Sequence, residues 1–257
     1  MGITYGTSTL FQATKGIVQD GLVLNLDAGV NKSYPRNGTT WYDLSNTGNG
    51  TLTNSPTFSR NNGGRFSFDG SNDYCEFAEN EKYNFQPTQP FSVFCWMIKS
   101  GSYAAVLANM KSSSPYQGWD IWNEDSTHIS MHLISSWNGK NAIKLRVDYT
   151  DQQSIKYFGY AYDGSCPANS TDTLNSVNFY VDGELYTTGK EITDGAGGFD
   201  STSETISYPA GQKFRIGSRY TGQYGPSNLF AVHIYNKALT ANEVQQNYNA
   251  TKARFGL

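Results

Sequence analysis

With 257 residues, a formal net charge of −3 and only 16% charged residues, the chain has enough material for one large core but no Lys/Arg cluster to grip a phosphate backbone, which excludes nucleic acid as a partner. Its longest apolar runs, such as FSVFCWMI at 91 to 98, fall far short of the ~20 residues of a membrane-spanning helix. Twenty-six glycines and 14% aromatics favour strands and tight turns over helices.

In chain order, residues 1–16 read as a polar, Ser/Thr-rich arm without the basic and apolar stretches of a secretory signal, so no export by that route is expected. GLVLNLDAG (21–29) sets Leu22, Leu24 and Leu26 against Asn25 and Asp27, the alternation of a half-buried strand. The turn-rich stretch 33–58 reads as a long loop pinned by Trp41 and Leu44. RFSFDGSNDYCEF (65–77) puts a loop holding Asp69, Asn72 and Asp73 between two alternating runs. That loop is a strand connection first, and its three oxygen-bearing side chains are candidate ligands for Ca²⁺. Calcium needs about 6 to 8 oxygens, so carbonyls, water or a distant acid such as Asp27 would have to join them.

FSVFCWMIKS (91–100) is apolar on both faces, as a central covered strand should be. GWDIWNEDSTHISMHLIS (118–135) reads as two strands around NEDS, and Asn138-Gly139 precedes another. Trp119 and Trp122 fall on opposite strand faces, which makes at least one of them core and neither an expected ligand. NFYVDGELYTT (178–188) is a hairpin with Asp182 and Gly183 in its turn. Segment 189–209 is rich in Gly, Ser and Thr and reads as an excursion. Thr240 followed by Glu243 forms a capping box for one short terminal helix, with Val244 and Tyr248 on its docking face. The expected fold is all-β: a two-sheet antiparallel jelly-roll sandwich over 17–257 with one short C-terminal helix.

Cys75, Cys95 and Cys166 lack metal-ligand spacing and read as free thiols, with a Cys75–Cys95 disulfide as the alternative. Asn31, Asn37, Asn49 and Asn169 lie in chance sequons. Glu124 and Asp125 are adjacent and belong to a turn, and His128, His132 and His233 have no nucleophile motif nearby. No row of catalytic carboxylates is present, so the chain reads as non-enzymatic. Sugar rings stack on flat aromatic faces, and the aromatic residues outside the apolar runs are Trp137, Tyr220 and Tyr224. These are the candidate ligand-binding residues, with rim packing or subunit contact as the competing role.

The ordered set GLVLNLDAG, WYDLS, GNGTL, FSFDGSNDY, FSVFCWMIK, YAYDG, NFYVDGELY, FRIGSR and VHIYNKALTANEVQQNY resembles the laminin-G-like branch of the concanavalin A-like lectin/glucanase superfamily over 17–257. That resemblance implies a jelly-roll sandwich and includes calcium-binding members. LDAG followed by SYP and WYDLS, with the ending NYNATKARFGL, is similar to domains of bacteriophage virion proteins. This implies a virion protein made in the host cytoplasm, decorating a capsid or forming part of a tail or fibre. Its implied partners are other virion proteins in an oligomeric assembly and, on the host, a cell-surface glycan. The alternative is a lectin module of a bacterial surface or secreted protein.

Overall fold

The computed structural model describes residues 15–137 and 141–257. All but the last two residues of the expected arm lie outside this range, as does the Asn138-Gly139 turn. The described strands form two antiparallel sheets. The first runs β14 (Glu184–Tyr186), β13 (Val177–Val181), β12 (Lys156–Tyr162), β7 (Phe91–Ile98), β17 (Pro226–Tyr235), β5 (Arg65–Asp69) and β4 (Thr57–Ser59). Its eighth strand, β1 (Leu22–Asp27), lies end to end with β5 along the same flank of β17. Leu22 to Asp27 pair with Tyr235 to Ala231, and Phe66 to Asp69 with Leu229 to Pro226.

The second sheet runs β15 (Glu191–Gly198), β11 (Asn141–Asp148), β10 (His128–Ser136), β9 (Gly118–Asn123), β8 (Ala104–Met110), β16 (Arg215–Ile216), β6 (Tyr74–Phe77), β3 (Gly50–Thr53) and β2 (Thr40–Trp41). The main core lies between the sheets, where alternate residues such as Leu24, Phe66, Val93, Trp119, Met131, Tyr160 and Val232 are fully buried. Strand β7 is apolar on both faces because both are covered: Val93 and Cys95 face this core, while Phe94 and Trp96 face a second layer.

Helix α2 (Ala241–Thr251) supplies that second layer. Thr240 and Glu243 form the expected capping box, Val244 is fully buried, and Tyr248 stacks on Trp96 at 5.6 Å. The expected hairpin is present too. Asp182 and Gly183 take φ of 51° and 87° between Val181 and its partner Glu184, as a type I′ turn requires.

Four features depart from expectation. The stretch 33–58, expected to be one long loop, contains the short strands β2, β3 and β4, which are only two to four residues long and so show too little alternation to read as strands. A short helix α1 (Ser170–Ser176) follows β12, its N-terminus capped by Asn169, which accepts the Asp172 N–H at 3.0 Å. Strand β15 lies inside the segment expected to be an excursion; it is an edge strand whose ladder breaks, so its sequence carries no alternation. The FDGSND loop crosses from one sheet to the other, since β5 belongs to the first and β6 to the second. Cys75 and Cys95 likewise sit in different sheets, and all three cysteines are buried free thiols.

Candidate functional site

Whereas α2 covers the outer face of the first sheet, the outer face of the second carries polar and aromatic side chains in cross-strand rows. One row runs Ala108, Asp120, His132 and Lys144 across β8, β9, β10 and β11. The next runs Ala105, Trp122, Ser130, Arg146 and Glu191. The period of two explains this placement: Trp119, Ile121, Ile129, Met131, Ile143 and Leu145 point into the core, which sends their neighbours outward.

Asp120, His132 and Arg219 form a buried ionic cluster. Arg219 Nε donates to Asp120 Oδ2 at 2.7 Å, and His132 Nδ1 lies 2.9 Å from the other carboxylate oxygen. Burial pushes the Asp120 carboxyl up, but Arg219 and His132 outweigh it and hold the group below the usual carboxylate range. Burial likewise pulls His132 down, against the pull of Asp120 and with the help of Arg219 and Lys144, so the imidazole is neutral near pH 7. Lys144 is lowered to about 8 by burial, despite Glu124 and Asp120.

Above this row lies a cavity of about 300 Å³, at the lower end of the range for small-molecule sites. Tyr103, Tyr116, Trp122 and Trp137 supply aromatic walls, and His132, Lys144, Asp194, Glu124, Arg219 and Gln223 supply polar groups. Tyr103 is 75% exposed and Trp137 37%. Trp137 packs against Tyr116 at 5.2 Å and carries the Lys144 ammonium 4.0 Å from its ring centre. The Arg219 guanidinium lies 4.2 Å from the Trp122 ring while its other donors reach Asp120 and Gln223.

Of the three aromatic residues singled out from sequence, the structure brings only Trp137 to this cavity. Tyr220 and Tyr224 lie on a neighbouring part of the same face. There Arg215 stacks between Tyr74 at 4.1 Å and Tyr220 at 5.0 Å, and Tyr224 packs on Tyr74 at 6.1 Å. Arg215 also grips Glu76, so these rings are braced by a salt bridge. Trp122 was not expected at a site, yet it lines the cavity while Trp119 is core. The available signal was Asp120 beside it: a strand with Asp and Trp on its outward positions is not presenting an ordinary solvated face.

Glu124 and Asp125 sit between β9 and β10, as expected of a turn. Glu124 accepts from Ser130 Oγ and approaches Arg146, while Asp125 accepts the Thr127 and His128 N–H groups at 2.7 and 2.8 Å. At the FDGSND loop, Asp69 Oδ1 accepts the N–H groups of Ser71, Asn72 and Asp73 at 2.8, 3.2 and 3.3 Å. Asp73 Oδ2 returns a contact to the Asp69 N–H at 3.3 Å. Asp27 is at the far end of β5 by register and is paired with Arg254, so it cannot complete a shell here. The loop is thus closed by hydrogen bonds between its own carboxylates and backbone. Among the described residues no cluster of three or more His, Cys, Asp or Glu is arranged to hold a metal.

No protein-family model matches the chain, and no curated protein does. Solved structures do resemble it. The botulinum neurotoxin type C structure, reported to depend on two ganglioside molecules for entering cells, aligns at 14% identity and TM-score 0.59 over 90% of this chain and 51% of its own. The binding domain of botulinum neurotoxin DC in complex with SialylT gives 13%, 0.58, 90% and 52%. The binding domain of Paraclostridial Mosquitocidal Protein 1 gives 14%, 0.59, 90% and 52%. The chain therefore spans about half the length of these structures, and at such identities the likeness is one of fold.

Proposed function

We propose that this chain is a non-catalytic, carbohydrate-binding β-sandwich whose ligand sits on the outer face of the second sheet. The observation that carries this reading is the cavity itself: four aromatic rings around charged and amide groups, the combination that sugars need for stacking and hydroxyl recognition. Two of these neighbours in fold are named as binding domains, one of them in complex with SialylT, and the third is described with two ganglioside molecules, which lends the reading support.

Catalysis is disfavoured by chemistry. Glycoside hydrolysis needs one carboxylic acid held protonated beside an ionised partner. Asp120 is instead held ionised by Arg219 and His132, and Glu124 is engaged by Ser130 and Arg146.

The motif resemblance to bacteriophage virion domains supports a setting on a virus particle for such a module, with Tyr220 and Tyr224 as candidate contacts to neighbouring subunits. A glycan array probed with the wild type and with Trp137→Ala tests the binding role. The expected result is a defined set of bound glycans whose signal Trp137→Ala weakens about tenfold or more. No glycan bound by the wild type would overturn the reading. Co-purification of the chain with particles tests the virion setting.

A further inference from the structure

We infer that the cavity takes a neutral sugar, held by two adjacent ring hydroxyls between the Asp194 carboxylate and the Lys144 ammonium. The inference rests on the carbohydrate reading and specifies its ligand.

The edge strand is built to present this pair. Strands β11 and β15 pair Ile143 with Gly197 and Leu145 with Ile192, so the register jumps across Lys144 and residues 193–196 leave the ladder opposite it. Asp194 and Gly195 take successive left-handed conformations, with φ of 53° and 64°. A bulge of this kind bends the strand and re-aims a side chain. Here it sets Asp194, whose side chain is 63% exposed, against the buried Lys144 ammonium at the cavity wall.

A carboxylate accepts from one hydroxyl and an ammonium donates to its neighbour, so a touching Asp–Lys pair matches a vicinal diol. Lys144 is at the same time 4.0 Å from the Trp137 ring centre, which couples hydroxyl recognition to the aromatic wall against which a sugar ring would stack.

An acidic sugar fits poorly. Among the described residues, both cations at the cavity are already matched, Lys144 by Asp194 and Arg219 by Asp120, and Glu124 adds a further negative charge. A ligand carboxylate or sulfate would enter beside like charges and find no unmatched cation.

The test is an array of oligosaccharides with neutral termini, each printed beside its sialylated and sulfated counterpart, followed by titration calorimetry on the strongest neutral probe and on its methyl ethers. Neutral termini bound in preference, with affinity lowered about tenfold by Asp194→Asn or by methylating either of two adjacent hydroxyls, support the inference. Asp194 is exposed, so its substitution leaves the core intact, and circular dichroism of the variant checks that. Preference for acidic termini, or neutral binding that survives both changes, overturns the inference and leaves carbohydrate binding standing. Absence of any glycan signal overturns both.

Discussion

His233 is buried on β17 between Asn25 of β1 and Phe94 of β7, with Tyr157 Oη 3.2 Å from its Nδ1. Burial, aided by the nearby Arg254 charge, lowers its pKa to about 3. The unfolded chain takes up this proton near pH 6.5, whereas the folded chain refuses it until far lower pH. The stability it contributes is thus fully present above pH 6.5 and is lost as pH falls from there toward 3, roughly 2 kcal/mol of it by pH 5. His132, lowered in the same direction, adds to the slope. Urea unfolding midpoints of wild type and His233→Phe between pH 7 and 5 check this: the variant should show a shallower fall, leaving the share of His132. An unchanged slope would mean that His233 protonates without unfolding. Neither burial was legible from single residues, because a histidine on an alternating strand has no mark of which face is covered. Trp119 and Trp122 teach the same lesson, since their opposite orientation was readable but the cavity above Trp122 was not.

Among elements, those specified by local chemistry were legible and those specified by a partner were not. The cap of α2 and the Asp182-Gly183 hairpin each need only a few consecutive residues, and both appear where expected. Strand β15 exists because β11 offers it an edge, and α1 begins at an Asn whose capping role looks like any other Asn. A contrast of two substitutions follows. Thr240→Ala removes one half of the capping box and should cost about 1 kcal/mol. Gly118 opens β9 at φ 132°, and a Cβ there would lie 1.9 Å from the Asn109 carbonyl oxygen of β8. Gly118→Ala must push those strands apart, so a loss of roughly 3 kcal/mol or more is expected. Thermal melts of both variants rank them, and a Gly118→Ala melt close to wild type would show that β8 and β9 separate cheaply at that end.

At the scale of the whole molecule, the sandwich was legible from the succession of strands, but the site was not, because it is a product of strand order. Residues from 103 to 223 meet at one cavity only once β8, β9, β10, β11 and β15 lie side by side and the segment after β16 folds over them. The same architecture sets how the molecule opens. Cys75 and Cys95 are fully buried in the core from opposite sheets, and burial pushes both thiols far above their ordinary range. Reagent can reach them only when the sheets part, which requires the core itself to open. Cys166 is also buried at this core, but it is held there by a segment outside the strands, at a left-handed φ of 48° and with its Sγ 3.2 Å from the Ser201 carbonyl oxygen, so movement of that segment alone is expected to expose it. Alkylation in native buffer, followed by mass spectrometry of the peptides, should therefore show Cys166 modified first and Cys75 and Cys95 together at the much slower rate of global unfolding. A Cys166→Ser variant should lose the fast phase alone. If Cys75 or Cys95 reacted as fast as Cys166, the two sheets would have to separate locally, and the continuous core between them could not be the unit that holds the molecule together.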